Sequence, residues 1–524
     1  MRNPLIIGTR GSELALWQAR FVQSLLKDIG LDSELKIIKT QGDRIQHLSF
    51  DKLEGKGFFT KEIEEALLNG ETDLAVHSHK DLPTEQPAGL IIAAVSGRED
   101  PSERLLIRKE AVDNRKKFSL RKQARVGTSA ARRKSQLLAF RPDLILEDLR
   151  GNVPTRVQKL RDGQYDAILM AAAGLERLEL DLSDLHVERL DPSEFVPAPA
   201  QGVLALQIRA EDHELHRSLQ ALHHPDVQAC IALEREVLRL FEGGCHMPVG
   251  AYAVPLEEEG RYRLITSRAE SWDQSPVGVT VESRHPETMA ATAVQHIKGI
   301  APQRVFVSRD LTHESYLRRI LEARQFTVDG RALIETNPVT IGSLPDSEWI
   351  FFSSKQAVQH FFRQRPTVDG RRFACVGKST AEALRKFGHR ADFIGGSTDT
   401  RLTGKQFAAL IGDARVLFPQ AKGSLRSIQQ QLVKKGQAID LVVYETILKN
   451  ETPVDPASIY VFTSPSNVEA YFAKNTLPAS VKVIAMGHAT RSALREQGVQ
   501  HPHLPDAFDE AGLSRAVFGL SAQA

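Results

Sequence analysis

Short apolar runs and helical apolar spacing alternate along the first part of the chain. Residues 5–8 form an apolar run, and from Ser12 to Leu26 the apolar residues recur at helical spacing. This pattern predicts a strand, a turn and an amphipathic helix with Ser12 as its N-cap. The same order recurs downstream, where we predict strands at 35–40, 73–77 and 104–108 and a helix at 60–68. Strands that alternate with helices are typical of α/β proteins, in which helices cover sheets.

Two proline-containing passages, 99–101 and 195–199, bracket a block that has strands of its own. The predicted strands of this block are 125–127, 144–148 and 167–170. A block that the chain enters from another domain and leaves back into that domain is typical of an inserted domain. The two connecting segments, or crossings, often form a hinge. We therefore predict a middle domain that is inserted into the first one.

The last part of the chain, from about position 300 onward, repeats itself at one fixed offset. Residues 351–354 match 461–464, residues 376–388 match 486–498, and the pair 335–336 matches 445–446. Each unit ends in a strand, a glycine, a threonine and a helix, an order that often places phosphate or carboxylate at a helix N-terminus. We predict that residues 301–524 form two similar α/β lobes that face a cleft.

Charge and cysteine content narrow the class of protein. The 524 residues include 68 Lys and Arg and 66 Asp and Glu, a net charge of +2. Proteins that coat nucleic acid usually carry a large basic excess, so we expect no nucleic-acid partner. The three cysteines have no CxxC spacing, and no stretch resembles a signal peptide or a membrane span of about 18 apolar residues. These features predict a cytoplasmic protein without a membrane partner.

Two short motifs carry candidate chemistry. In residues 242–248, Cys245 follows two glycines, whose missing side chains leave the thiol accessible; a buried, inert cysteine is the alternative. In residues 77–83, Lys80 and Asp81 follow an apolar strand, and α/β sheets place ligands at that end of a strand; a solvated turn is the alternative. His77 and His79 alternate as zinc ligands do, but no third ligand has suitable spacing, so we expect no metal.

The segment from Arg121 to Arg156 is locally basic, with nine Lys or Arg against three Asp or Glu. Its arginines begin beside glycine-containing turns, and Arg side chains bind carboxylates with two parallel hydrogen bonds. We interpret the segment as a candidate cationic pocket. A nucleic-acid patch is disfavoured because no aromatic residues are interleaved with the arginines, and a solvated helix face is the remaining alternative.

Residues 1–300 closely resemble porphobilinogen deaminase, also called hydroxymethylbilane synthase. The resemblance rests on motifs in one order along the chain: 9–12, 14–18, 55–59, 77–83, 127–133, 149–156, 199–202 and 243–245. Residues 301–524, with their Ser/Thr-rich strand ends, Gly-x-x-Thr helix starts and the motif 444–446, look like uroporphyrinogen-III synthase.

The resemblance implies a fused pair of consecutive tetrapyrrole enzymes. Such a chain joins four porphobilinogen molecules into hydroxymethylbilane and then closes it, with inversion of the last ring, to uroporphyrinogen III. It also implies two hinged domains like those of periplasmic binding proteins and a small α+β domain. The implied domains are 1–98 with 199–222, 99–198, 223–300 for cofactor attachment, and 301–524 for the bilobal synthase.

Residue roles follow from the same resemblance. It implies a dipyrromethane cofactor bound through a thioether to Cys245, and Asp81 as the catalytic carboxylate. Further cofactor contacts are implied for Lys80, Asp81, Thr128, Ser129, Arg132 and Arg133. Substrate contacts are implied for Arg10, Ser12, Gln18, Lys56, Arg150, Arg156, Gln201, Ser354, Ser464 and Thr490. Tyr444 is the best candidate for a catalytic hydrogen-bond donor in the synthase half, and an ordinary strand-end tyrosine is the alternative.

His79 departs from the family pattern, which has an apolar residue at this position, and we expect it to alter the local pH response. Two other functions stay open at this point. One is a deaminase whose second half is not catalytic, and the other is a binding protein for organic anions, in which Cys245 would have no role. The oligomeric state is open, with a monomer as the expectation.

Overall fold

The computed structural model describes residues 4–41, 60–241, 247–396, 400–432, 436–449 and 454–522. Lys56, Cys245 and most of the loop after Thr40 lie outside the described residues. The chain divides into two compact units, one of Met1–Val112 with Phe118–Ile300 and the other of Asp113–Lys117 with Ala301–Ala522.

The first unit contains strands β1 to β13 and helices α1 to α8. The strands are β1 Leu5–Thr9, β2 Ser33–Ile37, β3 Leu74–Ser78, β4 Leu90–Val95, β5 Glu103–Arg108, β6 Arg125–Gly127, β7 Ile145–Glu147, β8 Ala167–Ala171, β9 Leu185–Leu190, β10 Leu204–Arg209, β11 Val249–Pro255, β12 Tyr262–Arg268 and β13 Thr280–Ser283. The helices are α1 Glu13–Asp28, α2 Lys61–Leu68, α3 Ala131–Phe140, α4 Val153–Arg161, α5 Ala172–Arg177, α6 His213–Leu219, α7 Pro225–Leu240 and α8 Pro286–Lys298.

The first helix begins where the sequence predicts it. Ser12 is the N-cap of α1, and its hydroxyl accepts a hydrogen bond from the backbone N–H of Ala15 at 3.3 Å. The predicted strand at 35–40 is observed as β2, which begins two residues earlier and ends three residues earlier. Parallel pairing of Leu5 with Ser33 and of Thr9 with Ile37 fixes its ends. Its register is therefore set by a neighbouring strand rather than by its own apolar residues.

Two five-stranded sheets form most of this unit, with orders β2-β1-β3-β10-β4 and β7-β6-β8-β5-β9. In the first sheet β10 is antiparallel to its neighbours, and in the second sheet β5 is. Each of these two strands follows a crossing between the sheets, so the chain crosses before β5 and again before β10. The strands between the crossings pair only among themselves in the described residues, and the domain ends at 98, 198 and 222 stay predictions.

The remaining residues of the first unit form a smaller layer. Strands β11, β12 and β13 make an antiparallel sheet, against which α7 and α8 pack. Helix α7 ends at Leu240, just before the segment that contains Cys245. The α/β class that the sequence predicts for this half is confirmed.

The second unit contains strands β14 to β23 and helices α9 to α15. The strands are β14 Arg304–Val307, β15 Thr327–Gly330, β16 Ile334–Pro338, β17 Trp349–Phe352, β18 Arg372–Cys375, β19 Phe393–Ile394, β20 Val416–Ala421, β21 Ala438–Leu448, β22 Ile459–Phe462 and β23 Lys482–Ala485. The helices are α9 Tyr316–Glu322, α10 Lys355–Arg363, α11 Lys378–Arg385, α12 Thr400–Ile411, α13 Pro465–Phe472, α14 His488–Glu496 and α15 Glu510–Ser521.

The internal repeat of the sequence is also a structural repeat. Four consecutive elements of one lobe, β17, α10, β18 and α11, correspond in order to β22, α13, β23 and α14 of the other lobe. Each of the four starts at the same offset from its counterpart. The sheets have orders β15-β14-β22-β23 and β16-β21-β20-β17-β18-β19, one in each lobe. The third matched pair lies on β16 and β21, which pair antiparallel with Thr336 opposite Thr446. These two strands follow β15 and precede β22, so they are the connections between the lobes.

No helix among the described residues is long and apolar enough to cross a lipid bilayer.

Candidate functional site

Predicted site residues of the first unit follow the carboxyl ends of four parallel strands. Arg10 and Ser12 follow β1, and Lys80 and Asp81 follow β3, in the first sheet. In the second sheet, Thr128 and Ser129 follow β6, and Arg150 and Arg156 follow β7. This is the end of a parallel sheet at which α/β proteins bind ligands.

The end of β3 presents Lys80 and Asp81 in a short 3-10 turn, His79–Asp81. Asp81 is exposed, whereas Lys80 is half-buried and its ammonium donates a hydrogen bond to Oε1 of Gln201 at 3.2 Å. Desolvation lowers the pKa of Lys80 to about 8, and Arg133 and Arg132 act in the same direction, while Asp81 and Glu103 oppose them. Lys80 therefore stays mostly charged at neutral pH, close to its titration range.

Charged groups from the two sheets affect one another's pKa values. Desolvation lowers the pKa of Arg156 to about 10, with Arg133 and Arg150 as further causes, and Asp81 opposes the shift. Asp81, from the first sheet, thus acts on Arg156, from the second. The Nε of Arg156 donates to the Gly151 carbonyl at 2.7 Å, which fixes the side chain beside its own helix start.

Arg132 and Arg133 are not a free cationic surface, which corrects the simple picture of a basic pocket. Both are buried and bind the carboxylate of Glu103, at 2.6 Å from Arg132 Nη2 and 2.7 Å from Arg133 Nη2. Burial raises the pKa of Glu103, but Arg133, Arg132 and Lys80 together hold it at about 2. One negative charge therefore offsets part of the positive charge that the sequence predicts here. Whether these arginines contact the cofactor stays a prediction.

Thr128 and Ser129 have different roles in the described structure. The Ser129 hydroxyl donates to the Leu149 carbonyl and accepts from the Leu149 N–H, both at 3.0 Å, so it joins the loops after β6 and β7. The Thr128 hydroxyl is buried and has no hydrogen-bond partner among the described residues. Buried polar atoms are almost always bonded, so Thr128 is the better candidate for a ligand contact.

The two glutamines predicted to bind substrate are hydrogen-bonded within the first unit, and their contact with substrate stays a prediction. Gln201 is buried; its Oε1 accepts from Lys80, and its Nε2 donates to the Pro101 carbonyl at 2.8 Å. Gln201 therefore holds Lys80 against the first crossing, between β4 and β5. Both side-chain polar atoms of Gln201 are hydrogen-bonded. Gln18 is also buried, and its Nε2 donates to the Ser78 hydroxyl at 2.9 Å, which joins α1 to the end of β3.

The expected pH response of His79 is wrong. Desolvation, with Arg235 as a further cause, lowers its pKa to about 3, so its ring stays neutral over the physiological range. His77 is buried beside it, with its Nε2 3.0 Å from Oε1 of Gln207, and desolvation lowers its pKa to about 4. The hydrogen bond to Gln207 makes His77 a structural part of the β3 end. No group of three metal-ligating residues occurs among the residues described.

In the second unit, the predicted serines begin corresponding helices of the repeat. Ser354 caps α10 by accepting from the Ala357 N–H at 3.1 Å, and Ser464 caps α13 by accepting from the Asn467 N–H at 3.2 Å. Thr490 is buried in the first turn of α14. Each serine oxygen already has a bond that the helix needs, so contact with substrate stays a prediction for all three residues.

Tyr444 lies on β21 at the edge of a buried apolar cluster. Its hydroxyl lies 3.4 Å from the Ser354 hydroxyl, and its ring stacks on His360 with 5.0 Å between the ring centroids. Burial raises the pKa of Tyr444, partly offset by Ser354, so the phenol keeps its proton at neutral pH. The phenol can therefore donate a hydrogen bond, and it is held beside the start of α10.

Two residues near the first site were not predicted from the sequence. Glu103 begins β5, where its charge next to Arg104 suggests an exposed strand end. Arg177 ends α5; its guanidinium is buried 5.8 Å from the Trp17 ring and donates to Glu99, and its Nη2 lacks a partner within the described structure. A buried charge is recognised only from its tertiary neighbours, so no local pattern distinguishes these two residues from surface charges.

Three family models match separate stretches of the chain. "Porphobilinogen deaminase, dipyromethane cofactor binding domain" matches residues 5–217, and "Porphobilinogen deaminase, C-terminal domain" matches residues 228–268. "Uroporphyrinogen-III synthase HemD" matches residues 314–515. The matches follow the order of the two units, so both enzyme families are present in the chain.

Curated relatives agree with the first two matches. The porphobilinogen deaminase of Nitratidesulfovibrio vulgaris (strain DP4) is 49% identical over 254 residues, which are 48% of this chain and 78% of the relative. That of Thermus thermophilus is 48% identical over 262 residues, 50% of this chain and 83% of the relative. Among solved structures, uroporphyrinogen-III synthetase from Helicobacter pylori is 20% identical, with a TM-score of 0.32, over 41% of this chain and 99% of that one. The identity and coverage of the deaminase relatives show that this chain belongs to the porphobilinogen deaminase family.

Proposed function

We propose that this bifunctional tetrapyrrole enzyme joins porphobilinogen into hydroxymethylbilane in its first unit and closes that product to uroporphyrinogen III in its second. The observation that supports the first step most is the convergence of Asp81 and Lys80 with Arg133 and Arg156 from the other sheet. A carboxylate among several cations suits a reaction that generates positive charge on a substrate carrying carboxylates.

The residues present fit the dipyrromethane that the family carries. Such a group brings acetate and propionate side chains. The buried hydroxyl of Thr128, which has no hydrogen-bond partner among the described residues, lies in the loop that precedes Arg132 and Arg133. Cys245 would hold the group covalently, and Lys80, Asp81, Thr128, Ser129, Arg132 and Arg133 would hold it by polar contacts. When bound, the group supplies the free pyrrole carbon to which each new ring is joined.

Asp81 is the group that we assign to catalysis in the deaminase half. Loss of ammonia from porphobilinogen leaves a cationic pyrrole, and an ionised carboxylate near the pyrrole N–H stabilises that charge and accepts or returns protons. The exposed position of Asp81 at the end of β3 leaves it accessible to the substrate. Lys80 and Gln201 fix the turn from which it projects.

Arg10, Ser12, Arg150 and Arg156, with Lys56 outside the described residues, are the proposed substrate contacts. Each added ring brings two carboxylates, so the growing product becomes more negative with every step. Arg156 is partly desolvated, and a carboxylate partner would restore favourable interactions to its guanidinium. The arginines are therefore proposed to accommodate elongation rather than the chemistry of a single step.

For the synthase step, the two lobes would hold the linear tetrapyrrole folded. The protonated Tyr444 hydroxyl would donate a hydrogen bond to the terminal hydroxyl of the substrate as that group leaves. Ser354, Ser464 and Thr490 lie at or near helix starts, where backbone N–H groups favour carboxylates. Inversion of the last ring then depends on the geometry in which the chain is held.

Intact-mass measurement of the denatured full chain tests the deaminase assignment most simply. The purified chain should weigh more than its sequence by one dipyrromethane, and Cys245→Ser should remove that excess and the activity. Cys230→Ala and Cys375→Ala are matched controls, because burial raises the pKa values of these thiols to about 11 and about 12 and leaves them unreactive. An active chain of unmodified mass would overturn the cofactor assignment.

A further inference from the structure

Glu103 lies at a junction of the first unit that the proposed reaction does not use directly. It is the first residue of β5, immediately after the first crossing, and its side chain is fully buried. Its Oε1 accepts from Arg132 Nη2 at 2.6 Å and from Arg133 Nε at 3.1 Å, and its Oε2 accepts from Arg133 Nη2 at 2.7 Å. One carboxylate therefore orients two arginines.

The arginines are fixed at a second point each. Nη1 of Arg132 donates to the Val196 carbonyl at 2.9 Å, and Nη1 of Arg133 donates to the Leu169 carbonyl at 3.1 Å. Glu103 itself pairs with Ala171 on one side and with Leu190 on the other, so its backbone is held between two neighbouring strands. The carboxylate is thus a rigid anchor, and the guanidinium groups have little freedom to turn away from it.

Lys80, which precedes the proposed catalytic Asp81, is connected to the residues just before Glu103. Its ammonium donates to Gln201 at 3.2 Å, and Nε2 of Gln201 donates to the carbonyls of Pro101 at 2.8 Å and Ser102 at 3.4 Å. The charged groups that face Lys80 are Asp81, Arg133, Glu103 and Arg132. Two of these are cations that disfavour the ammonium form of Lys80, and two are anions that favour it. Of the two anions, Asp81 is exposed and is assigned to catalysis. Glu103 is buried and takes no part in the proposed chemistry.

We propose that Glu103 is a positioning residue of the deaminase reaction, whose carboxylate orients Arg132 and Arg133 and supplies the buried negative charge near Lys80 and Asp81. This inference rests on the proposed function and adds to it the residue that maintains the charge state of the site. Glu103 contacts neither substrate nor reacting atoms; it acts through its three cationic neighbours.

The test is the pH profile of kcat/KM for porphobilinogen, measured on the full chain and on Glu103→Gln. Lys80 must be charged to attract a carboxylate, so kcat/KM falls as Lys80 loses its proton at alkaline pH. Removal of the Glu103 charge disfavours the ammonium, so this alkaline limb should move to lower pH by about one unit. Lys80→Arg, which stays charged throughout, should remove the limb.

Asp166→Asn is the matched control. Asp166 is a buried carboxylate of the same sheet that accepts from Arg121 at 2.9 Å, but it lies at the amino end of β8, away from the site. The alkaline limb of the kcat/KM profile of Asp166→Asn should coincide with that of the unchanged chain. An unmoved limb in Glu103→Gln, or an equal shift in Asp166→Asn, would overturn the role of Glu103.

If Glu103→Gln does not fold, Glu103→Asp decides. Its carboxylate is one methylene shorter and would not hold both arginines at their present positions, so KM should rise at least about threefold while kcat changes less. An unchanged KM would overturn the proposal. Failure of the unchanged chain to consume porphobilinogen would overturn the proposed function and this inference together, whereas an active chain with an unmoved limb overturns this inference alone.

Discussion

The candidate site of the first half contains buried ionic groups, whereas the candidate site of the second half contains an aromatic pair and hydroxyls. Glu103 and its two arginines are buried, and the buried carboxylate of Glu234 binds the half-buried Arg98 at 2.6 Å, both beside the crossings of the first unit. In the second unit, Tyr444 stacks on a histidine and faces a serine hydroxyl.

This difference indicates how each half would bind an anionic tetrapyrrole. A buried ion pair is retained at a cost in desolvation, so fixed cations are reasonable where a growing anionic chain must stay bound through several additions. Hydroxyls and helix N-termini bind carboxylates more weakly and release them more readily, which suits a step that only folds and closes the chain.

Replacement of Asp81 should have the largest effect. Asp81→Ala should lower the turnover of porphobilinogen by about 10²- to 10³-fold, because one electrostatic stabiliser of the transition state is lost. Asp81→Glu should keep the fold and also react slowly, since its carboxylate is displaced. Steady-state consumption of porphobilinogen measures both, and a near-normal rate for Asp81→Ala would contradict the mechanism.

Replacement of the arginines after β7 should stall elongation. Arg150→Ala or Arg156→Ala should slow later ring additions by about ten- to hundredfold, the equivalent of one lost hydrogen bond to a charged group. Native mass spectra should then show partly elongated chains. Arg161→Ala on the same helix is the control, because Arg161 pairs with Asp184 at the surface, at 2.8 Å. Identical distributions in all three variants would show that the charges do not guide elongation.

The two halves also differ in how much of each candidate site their sequences predict. The strand-end positions of Asp81, Arg150 and Arg156 in the first unit were predictable, because these residues follow apolar strands in short motifs of charged residues; their roles in the site stay predictions. Glu103 was not predictable, because a glutamate beside Arg104 has the pattern of a solvated strand end, and only the distant Arg132 and Arg133 reveal its burial.

In the second unit the internal repeat predicted the lobes correctly, but the site stays diffuse. Backbone N–H groups at helix starts occur with almost any sequence, so their chemistry leaves little trace in residue types. The burial of Tyr444 depends on the pairing of β21 with β20, which has a register shift at Ala421. Such an irregularity cannot be inferred from apolar spacing.

Tyr444→Phe should have a moderate effect confined to the second half. Loss of one hydroxyl hydrogen bond should slow enzymatic ring closure by about tenfold or less, so the product shifts toward isomer I while porphobilinogen consumption is unchanged. Tyr471→Phe is the control: this tyrosine is also buried, in an apolar cluster, and its hydroxyl donates to the Thr476 carbonyl at 3.3 Å. An isomer ratio equal in both variants would remove Tyr444 from the mechanism.

The helix caps of the repeat should give the smallest effect. Ser354→Ala and Ser464→Ala should each lower the free energy of unfolding by about 1 kcal/mol, because each removes one N-cap hydrogen bond. Only Ser354→Ala should also alter the isomer ratio, since Ser354 faces Tyr444. Thermal unfolding and product analysis measure the two effects separately, and equal product ratios would mean that Ser354 acts only as a cap.

The central claim is that one chain performs both steps, and the isomer composition of its product tests it most directly. Hydroxymethylbilane that closes unaided keeps the ring order and gives isomer I, whereas the synthase gives isomer III. The purified full chain, supplied with porphobilinogen alone, should yield mainly isomer III when the oxidised porphyrins are separated by chromatography. A product consisting only of isomer I would contradict the claim and leave a deaminase with a non-catalytic second half.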